Sequence, residues 1–444
     1  MDQELFGITP PKKLFVKLAI PSLISMLFSS IYMICDGIFV GKIIGSKGLA
    51  AINLVFPIIM IVFAVSDMIA AGASVKIGIK LGEKNEKEAS NIFTIAVLLS
   101  LIINIIFMII SLIFSKDIIF ILIKDKELAT LSYKFAYVFI LALPFIAPFF
   151  ALDNYLRLCG KANMSMWINI AVSILNVILD AILIGYFKLG IEYAALCSAL
   201  SMFIGTLIFL YPFIMKKVTL RFTKPKVNIK EILYIIYNGS SEFFSNISNS
   251  IMSIITNGFL LYYGGPVGVA AYSIVMYIDA LISPVLFGMI GSIQPVISYN
   301  YGAKDYKRIT EFFKITCIVG FIISIVTMII IFIFPDFLVG LFSSKSDVDI
   351  IQMGKIALLL SAPSYLFNWF TMTVGSFLTG LEKATESIVV MLLESVIVPL
   401  ILIVALTKTI GVYGIFLVPS IGGFISIAIA FILWRRCVKE EFLK

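Results

Sequence analysis

The 444-residue chain contains no histidine and little charge: Asp, Glu, Lys and Arg together make up 14% of it. Soluble domains carry about 25% charged residues. Apolar residues reach 61%, and mean hydropathy is +1.08. These values exclude a water-soluble globular protein, a disordered chain and a nucleic-acid-binding domain. Without histidine the usual catalytic base, the commonest metal ligand and the default proton relay are missing, so proton or cation chemistry falls to carboxylates. The five cysteines (Cys35, Cys159, Cys197, Cys317 and Cys437) form no CxxC pair. They read as small packing residues, not as a disulfide or zinc framework. No GxxxxGK[ST], HExxH or GxSxG motif is present, so neither ATP-driven work nor an intramembrane enzyme is expected. No cleavable signal is expected either, because a full-length apolar span follows the polar start MDQELFGITPPKK.

What the chain has is apolar length. Twelve apolar segments occur at roughly 14–40, 50–75, 90–114, 131–152, 164–187, 190–215, 232–261, 268–296, 312–335, 352–378, 385–407 and 411–434. Each is too long for a strand, and backbone in lipid must satisfy its own hydrogen bonds, so each predicts a transmembrane helix. The termini and even-numbered loops hold 24 of the 34 basic residues and the odd-numbered loops hold 10. The positive-inside rule then places both termini in the cytoplasm of a multi-pass plasma-membrane protein. The loop with Lys216, Lys217, Arg221, Lys224, Lys226 and Lys230 reads as a cytoplasmic linker.

The halves repeat. CDGIFVGKIIGSKGLAA (Cys35–Ala51) resembles TNGFLLYYGGPVGVAA (Thr256–Ala271), and GIKLGEKNEKEA (Gly78–Ala89) resembles SYNYGAKDYKRI (Ser298–Ile309). Two weaker matches, around Gly160 and Gly380 and around Leu189 and Ile410, keep the same order and an offset of 220–221. Six helices per copy is an even number, so the copies are parallel, related by an axis along the membrane normal. The expected division is an N-terminal six-helix bundle at 1–215, a linker at 216–231 and a C-terminal bundle at 232–444. Two such bundles suit alternating access around a cavity between them.

Ionisable residues inside the membrane cost at least about 2.5–3.5 kcal/mol and are functional candidates by default. Asp36 lies deep in the first span. Asn176 and Asp180 lie one turn apart in the fifth, on one face, and Ser198 lies near the middle of the sixth. Two carboxylates, an amide and a hydroxyl make an oxygen cage for a proton or Na⁺. If the ion is Na⁺, Asp36, Asn176 and Asp180 are its expected ligands. The alternative is that both aspartates sit at helix ends bonded to backbone. The repeat partner of Asp36 is Asn257, and that of Asp180 is Leu400 or Ile401, so the cation site is expected in the N-terminal bundle only. Glu242, in GSSEFFSNIS, either faces the cavity with Asn257 and attracts cationic substrates or is buried against neighbouring Ser and Asn. Glu394 poses the same choice. Asp67, Asp153, Glu192 and Asp279 read as carboxylates near span ends or in polar contacts. Pro21 lies in the helix that carries Asp36 and could act as a hinge.

PSLISMLFSSIYMICDGIFVGKIIGSKGLAAINLVFPI, QPVISYNYGAKDYKRI, LDNYLRLCGKANMSMWINI and ILNVILDAILI together resemble the multidrug and toxic compound extrusion (MATE) family. ALDNYLRLCGKA and GSSEFFSNIS look most like its MepA-type bacterial branch. The resemblance covers essentially the whole chain. It implies an all-α integral membrane protein with twelve helices in two six-helix lobes, V-shaped around a central cavity. It also implies antiport of cationic amphipathic compounds against H⁺ or Na⁺ in a bacterial inner membrane, by a monomer with no cofactor. Asp36 matches the family's first-helix aspartate, the proposed coupling residue. Asn176, Asp180 and Ser198 match its partners, with Ser198 standing where the family often has Thr. Pro21 matches the proline proposed to bend. Some members carry a coupling Glu near the position of Glu242 and an aspartate on the tenth helix; this chain's tenth helix has no acid. Two alternatives remain: a lipid-linked oligosaccharide flippase of the same superfamily, against which the loop-bound basic residues count, and a non-transporting membrane scaffold or enzyme.

Overall fold

The computed structural model describes residues 4–342 and 348–442. Among them the chain is helical with no strand. After a short helix at Glu4–Ile8, the membrane helices are α1 (Pro11–Ile44), α2 (Lys47–Gly82), α3 (Glu86–Leu122), α4 (Lys126–Leu158), α5 (Ala162–Tyr186) and α6 (Ile191–Ile214). A continuous stretch, Ile229–Gly302, follows and is broken at Gly265 into α7 (229–264) and α8 (266–302). The chain ends with α9 (Tyr306–Ile333), α10 (Val348–Gly380), α11 (Ala384–Ile410) and α12 (Val412–Phe442). All twelve expected spans are helices, and most overrun their apolar segments at both ends.

The breaks between helices show the repeat in the backbone. Gly45 ends α1 at φ +96°, and its counterpart Gly265 ends α7 at φ +60°. With ψ at 180° and −163° these conformations lie where essentially only glycine is found, so glycine is required at both turns. Pro266 then opens α8, where a missing N–H costs nothing. Lys84 and Lys304, also 220 apart, both take positive φ, at 61° and 58°. The next residues, Asn85 and Asp305, cap α3 and α9 by accepting from the N–H of Glu88 at 3.2 Å and of Arg308 at 3.0 Å.

The chain forms two compact units. The described part of unit 1 comprises 4–9, 20–243 and 298–304; that of unit 2 comprises 10–19, 244–297 and 305–442. These units and the repeat boundaries are different divisions of the chain. α1 changes unit beside Pro21, and α7 changes unit just after Glu242.

Within unit 1, α3 shows how a membrane helix inverts the soluble pattern. Ile102, Ile106, Ile109 and Ile113 are exposed along one face, whereas Ser100 and Asn104 are buried. In lipid an outward isoleucine costs nothing, and an amide needs a partner. Asn104 donates to Ser66 Oγ of α2 at 3.0 Å and to the Ser100 carbonyl at 2.7 Å. Glycines allow the closest approaches. Gly72 of α2 faces the Ile235 carbonyl, and Gly239 of α7 faces the Met68 carbonyl, so these backbones touch without side chains between them. Gly82 meets Tyr299, and Gly302 meets Ile79, in the same way.

The basic linker is not a loose tether. It runs along α3: Thr223 N–H donates to Thr94 Oγ1 at 3.1 Å, and Lys226 N–H donates to Asn91 Oδ1 at 2.8 Å. Leu220 is fully buried, and Phe222 packs on Phe93. In unit 2, Leu260, Ile278, Leu358, Ile403 and Phe416 share one apolar core.

Candidate functional site

Unit 1 gathers the four residues expected to bind a cation. The spacing of Asn176 and Asp180 puts both on the buried face of α5, where they are 2% and 0% exposed. Asn176 orients its amide so that Nδ2 donates to Asp180 Oδ2 at 3.3 Å and Oδ1 accepts from Ser198 Oγ at 3.1 Å. In the opposite orientation two oxygens would face each other. Asp36 comes from α1 and lies within electrostatic reach of Asp180. Asp36 Oδ1 and Asp180 Oδ1 are buried and accept no N–H or O–H among the described residues. The reading of these aspartates as helix-end residues bonded to backbone finds no such bond here. Sequence reasoning missed one member: Cys197, read as packing, lies beside Asp180. Its adjacency to Ser198 was the available signal.

Both aspartates stand at irregular helical turns. α1 winds into a π-helical turn at Val40–Ile44, four residues beyond Asp36, and α5 does so at Ala181–Tyr186, immediately after Asp180. The bonds Gly45 N–H to Val40 O and Phe187 N–H to Ile182 O, both 3.0 Å, close these wide turns. The two π segments touch each other. Such turns insert a residue into the helix and are frequent at functional sites.

The set supplies only oxygen and one thiol. Among the described residues no three His, Cys, Asp or Glu side chains cluster as a metal site. Oxygen donors from carboxylate, amide and hydroxyl suit a hard monovalent cation or a proton, not a transition metal.

A buried ion network lies beyond this site. Arg157, at the end of α4, pairs with Asp153 at 2.7 Å. It also donates to Ser165 Oγ at 3.1 Å and to Ser22 Oγ at 2.8 Å. Asn169 and Ser165 donate to Asp153 Oδ1. Pro21 sits inside the continuous helix Pro11–Phe39, and its carbonyl accepts from Ser25 Oγ at 2.9 Å.

The two substrate-cavity candidates part company. Glu242 belongs to unit 1. Asn257, the counterpart of Asp36, lines a cavity of about 480 Å³ inside unit 2. Glu242 does not line that cavity, whereas Asp279 of α8 and Glu394 of α11 do. Asp279 is held by Tyr365 Oη and Ser283 Oγ, each donating at 2.9 Å, as a carboxylate in polar contacts should be. Neither acid is the repeat counterpart of Asp36 or Asp180, so comparison of the halves could not find this pairing.

Three comparisons bear on what this arrangement is for. The MatE family model matches twice, at 21–182 and 243–404, once in each half. The chain is 28% identical over 449 residues to the multidrug export protein MepA of Staphylococcus aureus strain MSSA476, covering 98% of this chain and 97% of that one. It is 28% identical over 397 residues to MepA of Staphylococcus saprophyticus, covering 87% and 85%. Among solved structures, a crystal structure of MATE in complex with MaL6 superposes with a TM-score of 0.95 at 23% identity, covering 100% of this chain and 99% of that one. A MOP superfamily transporter from Pyrococcus furiosus superposes with 0.94 at 24% identity, covering 99% and 98%.

Proposed function

The chain belongs to the MatE family, and on that premise we propose that it is a secondary multidrug exporter, moving cationic amphipathic compounds outward against an inward flow of H⁺ or Na⁺. The gathering of Asp36, Asn176, Asp180 and Ser198 in unit 1 carries the coupling half of this reading. Two acids within electrostatic reach of each other suit loading by one cation and release on the other side. Either ion can drive the cycle, since one charge moved through 100 mV supplies about 2.3 kcal/mol. The resemblance to MepA over nearly the whole chain supports the export half.

Alternating access through two repeat-related bundles, 1–215 and 232–444 joined by 216–231, completes the proposal. Pro21 is the proposed hinge, and its place where α1 passes from unit 2 to unit 1 supports that role. The excess of Lys and Arg in the termini and even-numbered loops supports a bacterial plasma membrane protein with both termini cytoplasmic. One copy of the chain suffices for the mechanism. A flippase for lipid-linked oligosaccharides is not favoured. The cavity of unit 2 presents carboxylates, which would repel a pyrophosphate.

The decisive experiment is export of a fluorescent cationic dye from proteoliposomes, with Na⁺ and H⁺ gradients imposed separately. Export driven by one gradient and absent in Asp36→Asn supports the proposal and names the ion. Export that proceeds equally in Asp36→Asn would remove Asp36 from the mechanism, and no export under either gradient would remove the exporter reading.

A further inference from the structure

The linker between α6 and α7 is cationic without interruption. Lys216, Lys217, Arg221, Lys224, Lys226 and Lys230 are all exposed, and no acid occurs between Glu192 and Glu231. Among the described residues the only side-chain partner of these six is Tyr211, which accepts from Lys217 Nζ at 2.9 Å. The loops between α2 and α3, α8 and α9, and α10 and α11 mix their signs instead. Beside them Lys80 pairs with Glu83 and Glu88, and Lys383 pairs with Glu441.

The linker displays these cations from a fixed backbone. The N–H groups of Arg221, Thr223 and Lys226 donate to Ser90, Thr94 and Asn91 of α3, and Asn91 Nδ2 returns a bond to the Lys226 carbonyl at 3.2 Å. Its height is that of the membrane boundary, because α3 begins its apolar segment at about Ser90. Lys217 Nζ also lies 4.5 Å from the ring centroid of Tyr211 on α6, a lysine over an interfacial tyrosine. Apolar groups are exposed among the cations: Phe222 at 40%, Val227 at 66% and Ile229 at 72%. Water has no use for that mixture, whereas a headgroup layer takes both kinds of side chain.

We propose that this strap is a docking surface for anionic phospholipid: Arg221, Lys224, Lys226 and Lys230 meet the phosphates, and Phe222, Val227 and Ile229 enter the acyl boundary. The assignment goes beyond the exporter reading and depends on neither the coupling ion nor the exported compound. Clusters of about four to eight cations beside a span attract anionic lipid, over a distance set by screening. Seating the backbone on α3 beforehand removes part of the ordering cost of binding, so the strap is a preformed surface. Charge and apolar insertion together favour a lipid over a soluble polyanion.

Native mass spectrometry of the full chain in detergent counts bound lipids. Wild type should bind phosphatidylglycerol at least about tenfold more tightly than phosphatidylcholine, and combining Arg221→Gln, Lys224→Gln and Lys226→Gln should bring the two within about twofold. Glycerol 3-phosphate, which has no acyl chains, should not displace the bound lipid at equal concentration. Lysine acetylation in nanodiscs, read residue by residue, needs no variant and covers the case in which the triple substitution fails to fold. There, adding phosphatidylglycerol to phosphatidylcholine should slow Lys224, Lys226 and Lys230 about threefold more than Lys84 and Lys87, which stand among Glu83, Glu86 and Glu88. Equal affinity of wild type for both lipids, or a preference that survives the triple substitution in a folded chain, would overturn the proposal. So would equal slowing of both sets of lysines. Displacement by glycerol 3-phosphate would make the strap a site for free phosphate esters and overturn the lipid assignment.

Discussion

Arg157 Nη1 donates to Ser22 Oγ at 2.8 Å, which ties the buried cation at the end of α4 to α1 one residue beyond Pro21. The guanidinium is also paired with Asp153, and the two side chains are only 8% and 14% exposed. Removing one member of such a pair strands the other charge, at a cost of about 3–5 kcal/mol. Arg157→Met should therefore lower the thermal unfolding temperature of the detergent-solubilised chain sharply. Ser22→Ala removes one hydrogen bond of a charged group and should cost about 1.5–3 kcal/mol. A melting curve for Arg157→Met that overlays wild type would show the network to be dispensable.

At the ion site, Asp36→Asn keeps shape and loses charge. Gradient-driven efflux should disappear while expression and the size-exclusion profile stay normal. Asn176→Ala takes away the donor to Asp180 and the acceptor for Ser198, so it should need a steeper ion gradient for the same flux. Cys197→Ala removes only a small thiol beside Asp180 and should keep most of the efflux.

The contact of α2 with α7 has no room for a side chain. A Cβ on Gly72 would lie 1.9 Å from the Ile235 carbonyl oxygen, and one on Gly239 would lie 1.8 Å from that of Met68. Backbone cannot step aside as a flexible side chain can. Gly239→Leu should cost at least about 1–3 kcal/mol as overpacking, and Gly72→Leu a similar amount. Chemical denaturation of the reconstituted chain measures this, and unchanged midpoints would mean that the helices do not meet there.

Lys84 and Lys304 hold left-handed backbone after α2 and α8. Their counterpart glycine variants relieve that conformation but loosen the unfolded chain, so each should change stability by less than about 1 kcal/mol. Lys84→Val, β-branched at φ 61°, should destabilise by about 1–2 kcal/mol. Thermal unfolding of the pair distinguishes the two outcomes.

In unit 2, Tyr365→Phe deletes the Oη that donates to Asp279 at 2.9 Å. A buried acceptor that loses a donor costs about 1–3 kcal/mol, and the variant should melt at a lower temperature accordingly. Tyr365→Phe with wild-type melting would indicate that another donor replaces the hydroxyl.

Much of the candidate ion site was legible because it depends on local spacing. Asn176 and Asp180 are four residues apart, so any helix puts them on one face, and Asp36 stands out as a charge in a long apolar run. Cys197 was harder to see, since a thiol looks apolar until an acid is placed beside it. Glu242 and Glu394 looked alike in the sequence as single acids in apolar helices. Only one of them lines the cavity of unit 2, and its partner there, Asp279, is far away along the chain.

The sequence by itself determined the helical class, the number of spans, the parallel repeat and the face shared by Asn176 and Asp180. These follow from composition, length and periodicity, which lipid imposes on any spanning chain. The tertiary structure decided which distant helices meet, where Gly72 and Gly239 bring two backbones together, and which second-half acids share a cavity. The physical reason is that lipid is as apolar as leucine. A membrane helix can be hydrophobic on every side, so its pattern does not reveal which face meets lipid and which meets protein; packing and hydrogen bonds between helices make that choice.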